Sequence, residues 1–179
     1  QIKPIICLTK MDLLTDEGLA AIQPYIEDYE NIGYEVITTY KDDTALLDRI
    51  QPMLEGKMTV LAGQSGVGKS TLLNTLIPAL NLKTGIISQS LGRGKHTTRH
   101  VELIEVCGGL LADTPGFSSF DFDTIEKEEL TACFPELLRI SEGCKFRGCL
   151  HKKEPKCAVK SALETGEIKD YRYKHYEQF

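Results

Sequence analysis

Residues 63–70 read Gly-Gln-Ser-Gly-Val-Gly-Lys-Ser, a G-x-x-x-x-G-K-S pattern between the apolar run Met58 to Ala62 and the segment Thr71-Leu72-Leu73-Asn74-Thr75-Leu76-Ile77. This order predicts strand, glycine-rich turn and helix, the context that separates a phosphate loop from an incidental glycine-rich turn. The backbone from Gly63 through Gln64, Ser65, Gly66 and Val67 to Gly68 is expected to wrap a triphosphate, with N–H groups and the helix N-terminus at Thr71 facing the phosphate oxygens. Lys69 would reach the β- and γ-phosphates, and the Ser70 hydroxyl would join a Mg²⁺ shell. Such a loop fixes an α/β, P-loop NTPase class. It names neither the base nor the reaction.

Two companion segments narrow the choice. Leu110-Leu111-Ala112-Asp113-Thr114-Pro115-Gly116 is a short apolar strand ending in D-x-x-G. There a carboxylate can hold Mg²⁺ through water and a glycine amide can meet the γ-phosphate, although Asp and Gly also close ordinary turns. Thr9-Lys10-Met11-Asp12 follows the apolar run Ile5 to Leu8, at the carboxyl end of a strand where open α/β sheets bind ligands. A carboxylate at Asp12 can accept from the N1–H and N2 amine of guanine, donors that adenine lacks, so a site built this way penalises adenine. Lys10 would lay its alkyl stem along the glycine loop and ribose. The rival reading is a strand-to-helix turn with Asp12 or Thr15 as helix cap.

A third cluster lies near the end of the chain. Cys144, Cys149, His151 and Cys157 form C-x4-C-x-H-x5-C, the ligand count of a closed, four-coordinate structural zinc site. A disulfide knot would leave an odd thiol, and nothing in the sequence suggests secretion. Cys7, Cys107 and Cys133 lie in apolar or helical runs and read as small buried hydrophobes. Around the cluster, Lys145, Arg147, Lys152, Lys153, Lys156 and Lys160 face the single acid Glu154, against a whole-chain net charge of −5. That local basic face suits a phosphate backbone, with a merely solvated face as the alternative.

The guanine segment precedes the phosphate loop, the reverse of small GTPases, so the chain resembles a circularly permuted GTPase. Gly92-Arg93-Gly94-Lys95-His96-Thr97-Thr98-Arg99-His100 and the cysteine cluster make it similar to the bacterial ribosome small-subunit-dependent GTPase A family, also called RsgA, YjeQ or YloQ. The resemblance covers essentially the whole chain. It implies a GTP hydrolase acting as a small ribosomal subunit (30S) maturation factor, stimulated by that subunit and leaving it after hydrolysis. It implies GTP/GDP, Mg²⁺ held by Ser70 and Thr98, and one structural Zn²⁺. The implied partners are the small subunit and its 16S rRNA, for a cytoplasmic monomer with no membrane association. Lys69, Thr98 and Gly116 would serve the reaction, with Thr97 as the alternative to Thr98. The residue after Gly116 is Phe117 where Ras-like enzymes place a water-orienting Gln, so the water must be ordered by Thr97, Thr98, His96 or a partner. Thr9 stands where the common guanine motif has Asn, and Thr keeps one hydrogen bond rather than an amide pair. Gly66 stands where potassium-activated relatives carry Asn.

Two rivals stay open on sequence grounds: a nucleotide-gated RNA-binding module with negligible turnover, and a P-loop ATPase or small-molecule kinase. Alternation of apolar periods predicts strand 5–8, helix 17–29, strand 34–39, helix 44–53, the phosphate-loop strand and its helix to Ile77. A mobile switch over 82–96 follows, then an antiparallel hairpin of 99–107 with 110–112 on an otherwise parallel sheet, and helices over 125–134, 158–163 and 168–176. The expected organisation is a GTPase domain over 1–135 and a small α-helical zinc-binding subdomain over 136–179. With 41% apolar residues the chain can bury a core, and no run approaches the ~18 apolar residues of a membrane span. Gln1 lies four residues before the first strand, so a fragment is expected; in the resembled family an OB-fold precedes this region.

Overall fold

The computed structural model describes residues 2–77, 102–113 and 125–179. The chain divides into two compact units, one of Gln1–Ile26 with Glu35–Phe120 and one of Glu27–Tyr34 with Asp121–Phe179.

The first unit begins with β1 (Ile5–Leu8), the first part of α1 (Asp16–Ile32), whose last turns from Glu27 belong to the second unit, and β2 (Glu35–Thr38). β1 and β2 pair in parallel, Ile5 opposite Glu35 through Leu8 opposite Thr38. The Thr15 hydroxyl accepts from the Gly18 N–H at 3.2 Å and so caps α1, which Asp16 and Glu17 reinforce against the helix dipole. Thr15, not Asp12, is therefore the cap, and the Asp12 carboxylate is left for other work. α2 (Leu46–Leu54) buries Leu46, Ile50 and Leu54, one face at a spacing of four.

β3 (Met58–Val60) pairs in parallel with β5 (Gly109–Asp113), which pairs antiparallel with β4 (Glu102–Val106). The hairpin turn places Cys107 at φ 49° and Gly108 at φ 73°, the two left-handed positions of a type I′ connection. Gly109 is fixed by space, since a Cβ there would lie 2.1 Å from the Leu54 carbonyl oxygen. The expected hairpin is present. Among the described residues, however, β1–β2 and β3–β5–β4 are two separate ladders rather than one sheet. They share a core of Ile37, Leu46, Ile50, Leu54, Leu72, Leu73, Leu76, Val106 and Leu111, against which Ile5 and Cys7 pack. The expected switch over 82–96 lies outside the described residues.

The second unit departs from expectation at its start. In place of a helix over 125–134 there is a single 3-10 turn, Leu130–Cys133, followed by α4 (Pro135–Ser141). Pro135 explains the shift: proline suits the first helical position and drives the preceding residue out of helical geometry, and Phe134 is extended at φ −121° and ψ 96°. α5 (Ala158–Glu164) and α6 (Asp170–Gln178) follow. Phe134, Leu137, Val159, Ala162, Ile168, Tyr173 and Tyr176 enclose Cys149 and Cys157 in one core.

Arg172 of α6 ties this unit together. Its Nε donates to Glu136 at 2.6 Å and its Nη1 to the Tyr29 hydroxyl at 3.1 Å, while the guanidinium lies 4.9 Å from the ring centres of both Tyr29 and Phe134. Both partners of the ion pair are buried. Arg172→Met is therefore expected to cost about 3–5 kcal/mol, because it strands the Glu136 carboxylate. Hydrogen exchange of α4 and α6 amides would read this, and unchanged protection would refute it.

Candidate nucleotide site and metal centre

The phosphate loop leaves β3 and enters α3 (Lys69–Leu76), whose N-cap is Gly68. Gly66 and Gly68 take φ values of 82° and 101°, which side-chain-bearing residues rarely adopt. Gly68 also lies where an added Cβ would meet the Thr9 hydroxyl oxygen at 3.4 Å. Lys69 turns back over its own loop, donating to the Gly63 carbonyl and to the Gln64 carbonyl at 2.8 Å. Gln64, Ser65 and Thr71 are exposed and Ser70 is half-buried, so hydroxyls and loop backbone are open to a ligand.

The residues expected to read the base come to this loop. The Thr9 hydroxyl donates to the Val67 carbonyl, and Lys10 Nζ donates to the Gly66 carbonyl at 2.5 Å. Thr9 thus spends the single donor hydrogen of its hydroxyl on the phosphate loop. Lys10 holds a left-handed backbone, φ 61°, which starts the one-turn 3-10 segment Met11–Leu13 and turns Asp12 away from the strand. Asp12 is exposed, and one of its oxygens accepts from the Lys41 N–H at 3.0 Å.

That last contact was not legible in the sequence. The β2–α2 segment Thr39 to Asp43 lies against the turn expected to read the base, with the Met11 N–H donating to the Thr39 carbonyl at 3.1 Å. Its position just past the carboxyl end of a strand was the available signal. Asp113 closes β5 opposite Glu102; Thr97, Thr98, Gly116 and Phe117 lie outside the described residues.

In the second unit the ligating atoms of Cys144, Cys149, His151 and Cys157 all lie within 4.8 Å of one another. Cys144 Sγ is 3.9 Å from Cys157 Sγ, and His151 Nδ1 is 3.7 Å from Cys144 Sγ and 3.3 Å from Cys157 Sγ. A tetrahedral zinc with ordinary bond lengths requires S···S edges of about 3.8 Å and S···N edges of about 3.5 Å. The donor set therefore fits. Burial pushes the Cys149 thiol up to about 12, partly offset by the His151 backbone N–H, and burial lowers the His151 imidazole. His151 is thereby kept neutral, as a ligand must be, and a divalent cation would reverse the penalty on the thiolate. With Nδ1 turned to the sulfurs, the buried Nε2 has no hydrogen-bond partner among the described residues.

The loop around these ligands is braced from two sides. Tyr173 and Tyr176 donate to the carbonyls of His151 and Leu150 at 2.6 and 3.0 Å. Glu154 accepts from the backbone N–H groups of Leu150, Lys152 and Lys153 at 2.9–3.0 Å. Its own N–H first, and then those of Leu150, Lys152 and Lys153, hold its carboxyl below the usual 4.5. The brace is therefore complete above that value and is lost as pH falls through the lower folded value. On acidification, Glu154→Gln is expected to release zinc at a higher pH than the unmodified protein. Coincident release curves would remove Glu154 from the account.

Around this centre Lys145, Arg147, Lys152, Lys153 and Lys156 are exposed. Phe146 is 45% exposed, with Lys145 Nζ 5.2 Å from its ring centre.

A glycine loop at a helix N-terminus, tied to a T-K-x-D turn that precedes it in the chain, defines a circularly permuted P-loop GTPase. Known proteins agree. Residues 1–123 match the model of the RsgA GTPase family, and the chain belongs to that family. It is 62% identical over 180 residues to the small ribosomal subunit biogenesis GTPase RsgA of Bacillus subtilis, covering 99% of this chain and 60% of the relative. Its identity to the protein of the same name from Geobacillus kaustophilus is 59%, covering 100% and 61%. The crystal structure of YloQ, a circularly permuted GTPase, superposes with a TM-score of 0.79 at 54% identity, over 98% of this chain and 55% of that one. YjeQ from Thermotoga maritima gives 0.80 at 34% identity, over 97% and 57%. The chain thus spans about 60% of the length of the curated relatives it matches. No helix among the described residues is long and apolar enough to cross a membrane.

Proposed function

We propose that this chain carries the nucleotide-hydrolysing and metal-binding parts of a GTPase that acts in biogenesis of the small ribosomal subunit. The supporting observation is the junction of base turn and phosphate loop, where Thr9 and Lys10 bond to Val67 and Gly66 while Asp12 stands exposed beside them. The relatives' printed names supply the biological setting. In this reading GTP binds across the two loops, Lys69 holds the β- and γ-phosphates, and Mg²⁺ is held by Ser70 and Thr98 with Asp113 acting through water. Gly116 meets the γ-phosphate. Zinc on Cys144, Cys149, His151 and Cys157 is structural, since four protein donors leave no position for water. The basic residues of 145–160 contact 16S rRNA through its phosphates. The working division is a GTPase domain over 1–135 and a zinc-binding subdomain over 136–179, in a cytoplasmic monomer.

Steady-state hydrolysis of GTP and ATP, with and without purified small subunits, tests the reading. GTP-selective turnover stimulated by the subunit is expected; turnover indifferent to the subunit would sink the ribosomal assignment. Asp12→Ala is expected to weaken GDP binding by about tenfold or more, since hydrogen bonds to a charged group are worth about 1.5–3 kcal/mol. ADP binding should be unchanged. An equal loss for both nucleotides would mean that Asp12 does not read the base.

A further inference from the structure

Asp12 reads guanine only if its carboxylate is held in one orientation, yet it sits in an exposed one-turn segment with no side-chain cap. The group that fixes it is a backbone amide, the Lys41 N–H, at 3.0 Å from Oδ1. That bond leaves one lone pair on Oδ1 and both on Oδ2 for the base. Tyr40, Lys41 and Asp42 are themselves exposed, and Asp42 is left-handed at φ 58°. Such a tripeptide has little of its own to hold an amide still.

Its two ends are fastened instead. At one end Thr39, 6% exposed, is bonded through its carbonyl to the Met11 N–H. At the other, the Asp43 side chain is 1% exposed and paired with Nη2 of Arg49 on α2, and the Asp43 carbonyl accepts from the Leu46 N–H at 3.3 Å. Asp43 Oδ1 is buried without a hydrogen-bond partner among the described residues. A buried carboxylate with an orphaned oxygen is costly. Capping does not account for it either, because α2 is capped at Ala45 with no side-chain bond.

We propose that the Asp43–Arg49 pair is a positioning device for base recognition. It anchors the 39–43 segment so that the Lys41 amide orients the guanine-reading carboxylate of Asp12. Neither Asp43 nor Arg49 touches the nucleotide; both act through the segment. The inference rests on the guanine reading of Asp12.

The test compares dissociation constants for GDP, IDP and ADP in the intact protein and in Arg49→Met and Arg49→Lys. GDP and IDP differ only in the N2 amine that Asp12 accepts, so their ratio within one preparation reads Asp12 alignment whatever fraction is folded. The unmodified protein is expected to prefer GDP over IDP by about tenfold or more. In Arg49→Met that preference is expected to shrink to about threefold or less, and Arg49→Lys, which keeps the charge, should restore most of it. Should Arg49→Met not fold, Asp43→Asn carries the same comparison with the carboxylate charge removed at constant volume. An unchanged GDP-to-IDP ratio in a folded variant would overturn the pair's role while leaving the guanine reading intact. Equal binding of GDP and ADP by the unmodified protein would overturn both.

Discussion

Lys69→Ala is expected to slow GTP hydrolysis by about 10²–10³-fold, the loss typical when a fixed donor to developing transition-state charge is removed. The Lys69 ammonium donates to the carbonyls of Gly63 and Gln64, so its charge is already hydrogen-bonded, and the residue is half-buried. Binding a triphosphate exchanges these neutral acceptors for anionic oxygens, a stronger, charge-assisted contact. Phosphate charge shifts during transfer, so the Lys69 contact strengthens between bound substrate and transition state. The loss should therefore appear mainly in kcat, with a smaller loss in GDP affinity. Single-turnover rates alongside GDP titration separate the two. Hydrolysis within tenfold of the unmodified rate would mean that this lysine does not serve the phosphates.

Cys157→Ser is expected to abolish stoichiometric zinc and to unfold much of the second unit. Its sulfur lies 3.3 Å from His151 Nδ1 and 3.9 Å from Cys144 Sγ, while its backbone starts α5 as the N-cap. One residue thus joins the metal loop to the helix carrying Val159 and Ala162 of the core. Structural zinc contributes about 10–16 kcal/mol of apparent binding energy in small metal domains, which matches or exceeds the whole stability of a typical domain, about 5–15 kcal/mol. The tyrosines bonded to the Leu150 and His151 carbonyls would lose a fixed loop to bond to. Metal content by mass spectrometry, read together with amide protection in α5 and α6, checks this. A metal-free variant with protection unchanged would show that the ion is dispensable to the fold.

The parts of this molecule that sequence revealed are those whose chemistry is packed into short windows. The phosphate loop occupies eight residues and the metal donors fourteen, and in both the spacing carries the geometry. β1 was legible for a similar reason, an apolar run ending at Thr9. What escaped was set by distance along the chain. The amide that orients Asp12 lies 29 residues away from it, and the carboxylate paired with Arg172 lies 36 residues away. No local pattern marks either partner. The helix expected over 125–134 failed for a local reason, because Pro135 starts a new helix and forces Phe134 out of helical geometry. The separation of the strands into two ladders among the described residues was not readable either, since strand pairing between β1, β3 and their neighbours is decided by tertiary packing.

The bonds from Thr9 to Val67 and from Lys10 to Gly66 span 58 and 56 residues of chain. Closing a flexible loop of that size costs on the order of 3–4 kcal/mol of chain entropy before any contact compensates. The base turn of a permuted chain is therefore synthesised well before the phosphate loop it bonds to, and during translation it waits as an unmatched half-site. A nucleotide bridging the two halves favours the closed chain by mass action. Refolding in the presence of GDP should accordingly be more complete than refolding without it, the nucleotide stabilising the closed form of its own binding site.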